Sequence, residues 1–332
     1  MNARATSQSS RQDHISEGVP YVRLKLLLIG LLAWCSSLTF AQDGSTILII
    51  KSNEAVVYDS VIDQIEQRLL AGCIPRQQTC LSLELYRLIA DDSATAPPPH
   101  DLVISLGQKA REYAQRQYAD SRIINAMIPT EQDRLEDARN SSLKHPTLVL
   151  DQPPLRDLLL IKYLLPEARR IGLLISRENA QLIDPLEHDA ERLDLKLVVS
   201  IVDEEAHLGR QLAVMLDQID VLLALPDIKI HNRQNVSSIL LTTYRNRIPL
   251  IGFSSAYVKA GALAAIYSTP ENIGDHLADL IDQLYTSTVI PTQVIYPKYF
   301  SVSINSRVAH SLAIQLPLDS DKLEQLIRDA EQ

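Results

Sequence analysis

The sequence predicts an α/β protein built as two similar three-layer lobes, each a mostly parallel sheet between helices. From residue 46 onward, short β-branched apolar runs alternate with longer segments of helical period, the pattern of βαβ units. The same scheme then repeats through the second half. The chain has 332 residues, of which 46% are hydrophobic, so it can bury the cores of about two domains. With 10 Gly, 17 Pro and no tandem tract, collagen-like and linker-like compositions are excluded.

The elements follow in order. TILIIKSN, from Thr46, is a strand and its exit. In VVYDSVIDQIEQRLLAG, the residues Val57, Val61, Ile65 and Leu69 share one helical face, and Gly72 is the expected stop. LSLELYRL is the next strand. A proline-rich loop leads to the strand Leu102 to Leu106, after which Gly107 opens a helix, and RIINAMIP is a further buried strand. The run to Leu150 is a strand that ends before Pro153-Pro154, where a new helix begins. RIGLLIS, LKLVVSIV, DVLLALP and IPLIGF are the strands of the second half. Amphipathic helices separate them at about 179–193, 204–218 and 230–246. ALAAIYS is another strand, Thr269-Pro270-Glu271 opens a helix, and QVIYPKYFSVSINSRVAHSLAIQLP supplies a strand and a short helix.

The amino-terminal segment has its own pattern. Arg23 and Lys25 precede the apolar run LLLIGLLAW, and small or polar residues follow to Ala41. This is the layout of a signal peptide at about 22–41, cleaved after Ala41, with Thr39 and Ala41 at the −3 and −1 positions. The run is short for a bilayer span, which takes roughly 20 residues; the alternative is an uncleaved signal anchor. The bulky Trp34 before Cys35 speaks against lipid attachment there. Export to the periplasm is therefore expected. It places Cys73 and Cys80 in an oxidising compartment, where they are expected to form a disulfide contributing ~2–3 kcal/mol.

The balance of 41 Asp+Glu against 32 Lys+Arg gives a net charge of −9, with no basic cluster to release counterions from a phosphate backbone. Nucleic acid is excluded as a partner on that ground. An enzyme reading finds no support: there is no GxSxG elbow, P-loop or GxGxxG, and His100, His145, His188, His207, His231 and His276 are scattered without metal-ligand spacing. No cofactor and no metal is expected.

Specific motifs stand in the second half: Ile248-Pro249-Leu250, Val258-Lys259-Ala260-Gly261-Ala262-Leu263, Gly274, Ile304-Asn305, Ala309 and Leu312 through Pro317. LLPEARRIGLLIS and DVLLALPD add to them. Together they resemble the substrate-binding proteins of bacterial ABC transporters, the family that includes tryptophan- and tyrosine-uptake members. The resemblance spans about residues 46 to 317 and is more specific in the second lobe. Two departures stand out. Ile128-Pro129-Thr130-Glu131 lacks the family's DP-type loop, and Tyr267 replaces a usual glycine.

The resemblance implies a type I periplasmic binding fold with three crossovers, near 151–154, 254–262 and 288–300. The first lobe would take residues 42–150 and about 263–290. The second would take 151–262 and about 291–320, leaving 321–332 as a tail. It also implies a small, amino-acid-like ligand in the cleft, an inner-membrane permease as partner, and no catalysis. The alternative is a binding-fold sensor or accessory protein acting without a transporter.

Ligands of open α/β sheets sit beyond the strand carboxyl ends, which nominates the strand exits. Lys51, Ser52 and Asn53 follow the first strand and either face the cleft or form a turn. Gly107 and Gln108 start a helix whose free N–H groups favour an anion, or simply make a turn. Ser176, Asp227, Ser254 and Ser255 follow later strands. Asp227 either holds a ligand amino group or caps the next helix. Phe253 and Tyr267 either stack on a flat ligand or belong to the core.

Overall fold

The computed structural model describes residues 46–76, 82–85, 100–130, 145–286 and 294–331. The leader, Cys80 and the side chain of Cys73 lie outside the described residues, so the expected signal peptide and disulfide are not addressed by it. In chain order the first elements are β1 (Thr46–Lys51), α1 (Val56–Arg76), β2 (Ser82–Leu85), β3 (Leu102–Leu106), α2 (Gln108–Gln117), β4 (Arg122–Ile128) and β5 (Thr147–Val149). Then come α3 (Pro154–Leu164), β6 (Arg170–Ser176), a 3-10 segment (Arg177–Leu182), α4 (Ile183–Arg192), β7 (Lys196–Val202), α5 (Glu205–Leu216) and β8 (Val221–Leu223). The chain continues through α6 (Val236–Arg245), β9 (Leu250–Gly252), α7 (Ser255–Ala260), β10 (Ala264–Tyr267) and α8 (Pro270–Thr286). It ends with β11 (Val294–Ile295), β12 (Ser301–Ile304), α9 (Ser306–Ser311) and α10 (Ser320–Ala330).

Two six-stranded sheets result, ordered β11-β5-β4-β3-β1-β2 and β12-β10-β9-β8-β6-β7. Every pairing is parallel except that of β12 with β10. Buried on both faces, the strands are continuous Val/Ile/Leu runs because each pleat face needs an apolar side chain. In β1, Ile47 and Ile49 pack with α1 and α8, while Leu48 and Ile50 pack with α2 on the opposite face. In β6, Leu173 and Ile175 face α3, α4 and α10, and Leu174 faces α5 and α6. Both lobes are therefore three-layered, as the sequence predicts.

Three local expectations change. The first helix runs on past Gly72 to Arg76. A glycine costs only about 1 kcal/mol inside a helix, so by itself it is a weak stop. Strand β10, expected in the first lobe, hydrogen-bonds to β9 and β12 and so belongs to the second sheet. The chain consequently crosses between sheets at 150–153, 268–269 and 296–300, and the middle crossing lies later than the sequence suggests. At the expected carboxyl-terminal tail, 321–332, residues Ser320–Ala330 form α10, which is capped by Asp319 and buries Leu323 and Ile327 against α3.

Gly274 explains how α8 returns to the first lobe. A Cβ there would lie 2.6 Å from Gln64 Cβ and 2.9 Å from the Val61 carbonyl oxygen. Only glycine lets α8 lie this close to α1, and Ile273, Leu277 and Ile281 then complete the core beneath β1 and β3.

Candidate functional site

A cavity of about 560 Å³ opens between the two lobes. Its walls come from strand exits of both sheets: Pro129 after β4, Leu150 and Asp151 after β5, Leu225 and Pro226 after β8, and Phe253 and Ser254 after β9. Parallel strands point their carboxyl ends at one edge, and the helices that follow start there, so loops from distant parts of the chain converge. The end of β10 and the start of α8 close the remaining side, with Tyr267, Ser268, Thr269 and Glu271.

Four of the sequence-nominated residues come together in this wall: Phe253, Ser254, Ser255 and Tyr267. Ser254 is also the N-cap of α7, its Oγ accepting the Tyr257 N–H at 3.2 Å. Phe253 is held from behind by Tyr257 and His231, with ring centroids at 5.2 and 5.9 Å. Tyr257 OH and His231 Nδ1 lie 2.8 Å apart. Burial drives the pKa of His231 down to about 4 despite the nearby Asp227, so this ring is neutral at pH 7. The Tyr267 hydroxyl shares a 2.8 Å hydrogen bond with Ser303 Oγ on β12, which fixes the phenol at the cavity edge.

The other nominated residues are not part of the wall. Ser52 is buried, and its Oγ accepts the Ala110 N–H at 2.9 Å, so it caps α2 from across the sheet. The start of α2, nominated through Gly107 and Gln108, is thereby occupied by the protein itself. Gln108 donates to Glu112 along the helix, and Asn53 accepts the Ala55 N–H in a turn. Lys51 is buried and donates to Glu54 and Asp59 at 2.8 Å each. Asp227 accepts the backbone N–H groups of Ser176 at 2.8 Å and Lys229 at 3.1 Å. Burial would raise its carboxyl, but these donors and Asn179 outweigh that and hold it below the usual range. Between capping and ligand binding at Asp227 and Ser176, the bonds formed are those of a loop brace.

Several wall residues are not among those the sequence nominates. Asp151 accepts the Thr130 N–H, joining the exits of β4 and β5. Gln152 donates to Ser268 Oγ at 2.9 Å, and Ser268 donates to the Tyr299 carbonyl at 2.7 Å, so the three crossovers are bonded to one another beside the cavity. Asp157, in the first turn of α3, lines the cavity and is only 5% exposed. Burial holds its carboxyl well above the ordinary range, against a lowering effect from Arg156. In the sequence Asp157 looks like a routine acid complementing a helix dipole. Among the described residues, no group of three or more His, Cys, Asp or Glu is arranged to hold a metal, and no helix is long and apolar enough to cross a membrane.

Comparison with known proteins gives the setting of this geometry. No curated protein sequence matches the chain. Among solved structures, a ligand-free, open substrate-binding protein with adhesive properties from Clostridium difficile aligns at 16% identity with a TM-score of 0.63, covering 83% of this chain and 97% of that one. The ABC domain from Streptococcus pneumonia in complex with L-Trp aligns at 18% identity and 0.51, covering 82% and 96%. A conserved domain protein from Vibrio cholerae aligns at 18% and 0.50, covering 83% and 96%. At these identities the likeness is one of fold, the type I periplasmic binding fold. The sequence profile of ABC transporter substrate binding proteins matches residues 137–323, more than half of the chain, including all of the second sheet. The chain therefore belongs to the ABC transporter substrate binding protein family.

Proposed function

We propose that this is an exported solute-binding protein that captures a small molecule between its lobes and delivers it to the membrane permease of an ABC importer. The observation carrying this reading is the cavity of about 560 Å³ at the strand exits, a volume suited to a small organic ligand. Phe253 and Tyr267 would flank a flat body, and Ser254 and Ser255 would hydrogen-bond its polar edge. The residues of the wall come from both lobes, so closure would bury the ligand and ligand would select the closed state. The leader pattern supports delivery to the periplasm, and the L-Trp complex of the Streptococcus structure supports a ligand of amino-acid size.

The test is a thermal-shift screen of the purified protein against amino acids, amines, nucleosides, sugars and small anions. A ligand at 100 times its Kd adds ~2.7 kcal/mol of stability. A reproducible rise in Tm confined to one chemical class is the expected result. A flat response across all classes would contradict solute binding and favour an accessory role without a transported ligand.

A further inference from the structure

The charge of the cavity wall is one-sided. Among the described residues, Asp151, Asp157 and Glu271 line it and no Lys, Arg or His does. Asp157 is the telling member. It is 5% exposed, yet no hydrogen bond from any described residue reaches its carboxyl. Its neighbour Arg156 is committed elsewhere, donating to Glu331, Gln152 and the Pro297 carbonyl at 2.6 to 2.7 Å. A largely buried carboxylate without a donor is costly, and such a group in a cleft is a functional-site candidate. Among the described residues, no group of three or more His, Cys, Asp or Glu is arranged to hold a metal ion. Phe253 and Tyr267 on the same wall offer aromatic surface, which attracts organic cations through the ring quadrupole.

Resting on the solute-binding reading above, we propose that the ligand is an organic cation, an ammonium-bearing molecule with an apolar or aromatic body, whose positive charge is countered by Asp157. A ligand with a free carboxylate would meet three acidic side chains and, among the described residues, no cationic one. That repulsion selects against anions and disfavours zwitterions relative to amines.

Titration calorimetry on the full chain with tryptamine, tyramine, choline, L-tryptophan, indole and indole-3-propionate tests this. At least one of the three amines is expected to bind, at least tenfold tighter than L-tryptophan, with indole-3-propionate silent. In Asp157→Asn the amine is expected to weaken at least 30-fold while Tm holds or rises, because the variant keeps the shape and removes a buried carboxyl that no described residue donates to. Glu271→Gln, at the exposed rim, should weaken it only a few-fold. Preferred binding of L-tryptophan, indole or the anion, or an Asp157→Asn variant that binds the amine as well as wild type, would overturn the cation proposal and leave solute binding standing. Silence toward all six probes, together with a flat thermal-shift screen, would overturn both.

Discussion

At Gly107 the backbone takes φ 87° and ψ 171°, a region open almost only to glycine. A Cβ there would also sit 2.4 Å from the Tyr58 hydroxyl and 2.7 Å from Ser52 Oγ. Gly107→Ala is therefore expected to cost about 3 kcal/mol in urea denaturation, from backbone strain plus a displaced cap. A loss below about 1 kcal/mol would contradict that packing. Two buried histidines make a second residue-scale prediction. The pKa values of His231 and His276 are each driven by burial to about 4, below the ordinary 6.5. The unfolded chain thus binds protons on these rings before the folded one does. Their contribution to stability is present above about pH 6.5 and is lost as pH falls toward 4, by roughly 3 kcal/mol each. In an NMR titration the imidazoles of His231 and His276 should stay neutral from pH 7.5 to 5.5; titration of either near 6.5 would contradict its burial. The sequence shows these histidines only as scattered, because burial depends on contacts such as that of His276 with the Lys298 N–H, which joins different elements.

At the scale of elements, the strands are the most legible part. RIGLLIS is β6 from end to end, because a strand buried on both faces leaves an unbroken apolar run. What the sequence hides is the partner of each strand exit. Ser52 and Ala110 are 58 positions apart, so the bond that fills the start of α2 has no local signature. The signal for α10 is present in Asp319, Leu323 and Ile327, a cap followed by an i, i+4 pair, which a tail reading of 321–332 passes over. Arg156 ties several elements together. It joins α3 to the first crossover through Gln152, to the third through the Pro297 carbonyl and to α10 through Glu331, and it lies 4.4 Å over the Phe300 ring. Arg156→Met is expected to destabilise by about 3 kcal/mol, since it strips donors from buried acceptors. Arg156→Lys keeps the charge but not the planar fork, and should recover less than half of that in the same urea experiment. Equal stability of the Arg156→Lys variant and the wild-type protein would mean that the fork geometry is immaterial.

Over the whole molecule, two sheets built on the same parallel plan direct their strand exits to a common cavity. The motifs in Ile248 through Pro317 make the family legible because they sit where the chain has little freedom: Gly274 at a helix contact, and Asn305 donating to the Val258 carbonyl while capping α9. The acidic wall is not legible, since Glu271 lies more than a hundred positions beyond Asp151 and Asp157 and joins them only when the chain has folded. Occupation of this cavity is the central claim, and it has a direct measurement. Ser255 lies on the wall at the start of α7, and Ser255→Trp would fill the space beside it while leaving the sheets untouched. Calorimetric titration of the ligand found in the thermal-shift screen should give one binding site on wild type and at least a 30-fold weaker one, or none, on Ser255→Trp at unchanged Tm. Equal affinity in the two proteins would place the ligand elsewhere and contradict the interlobe site.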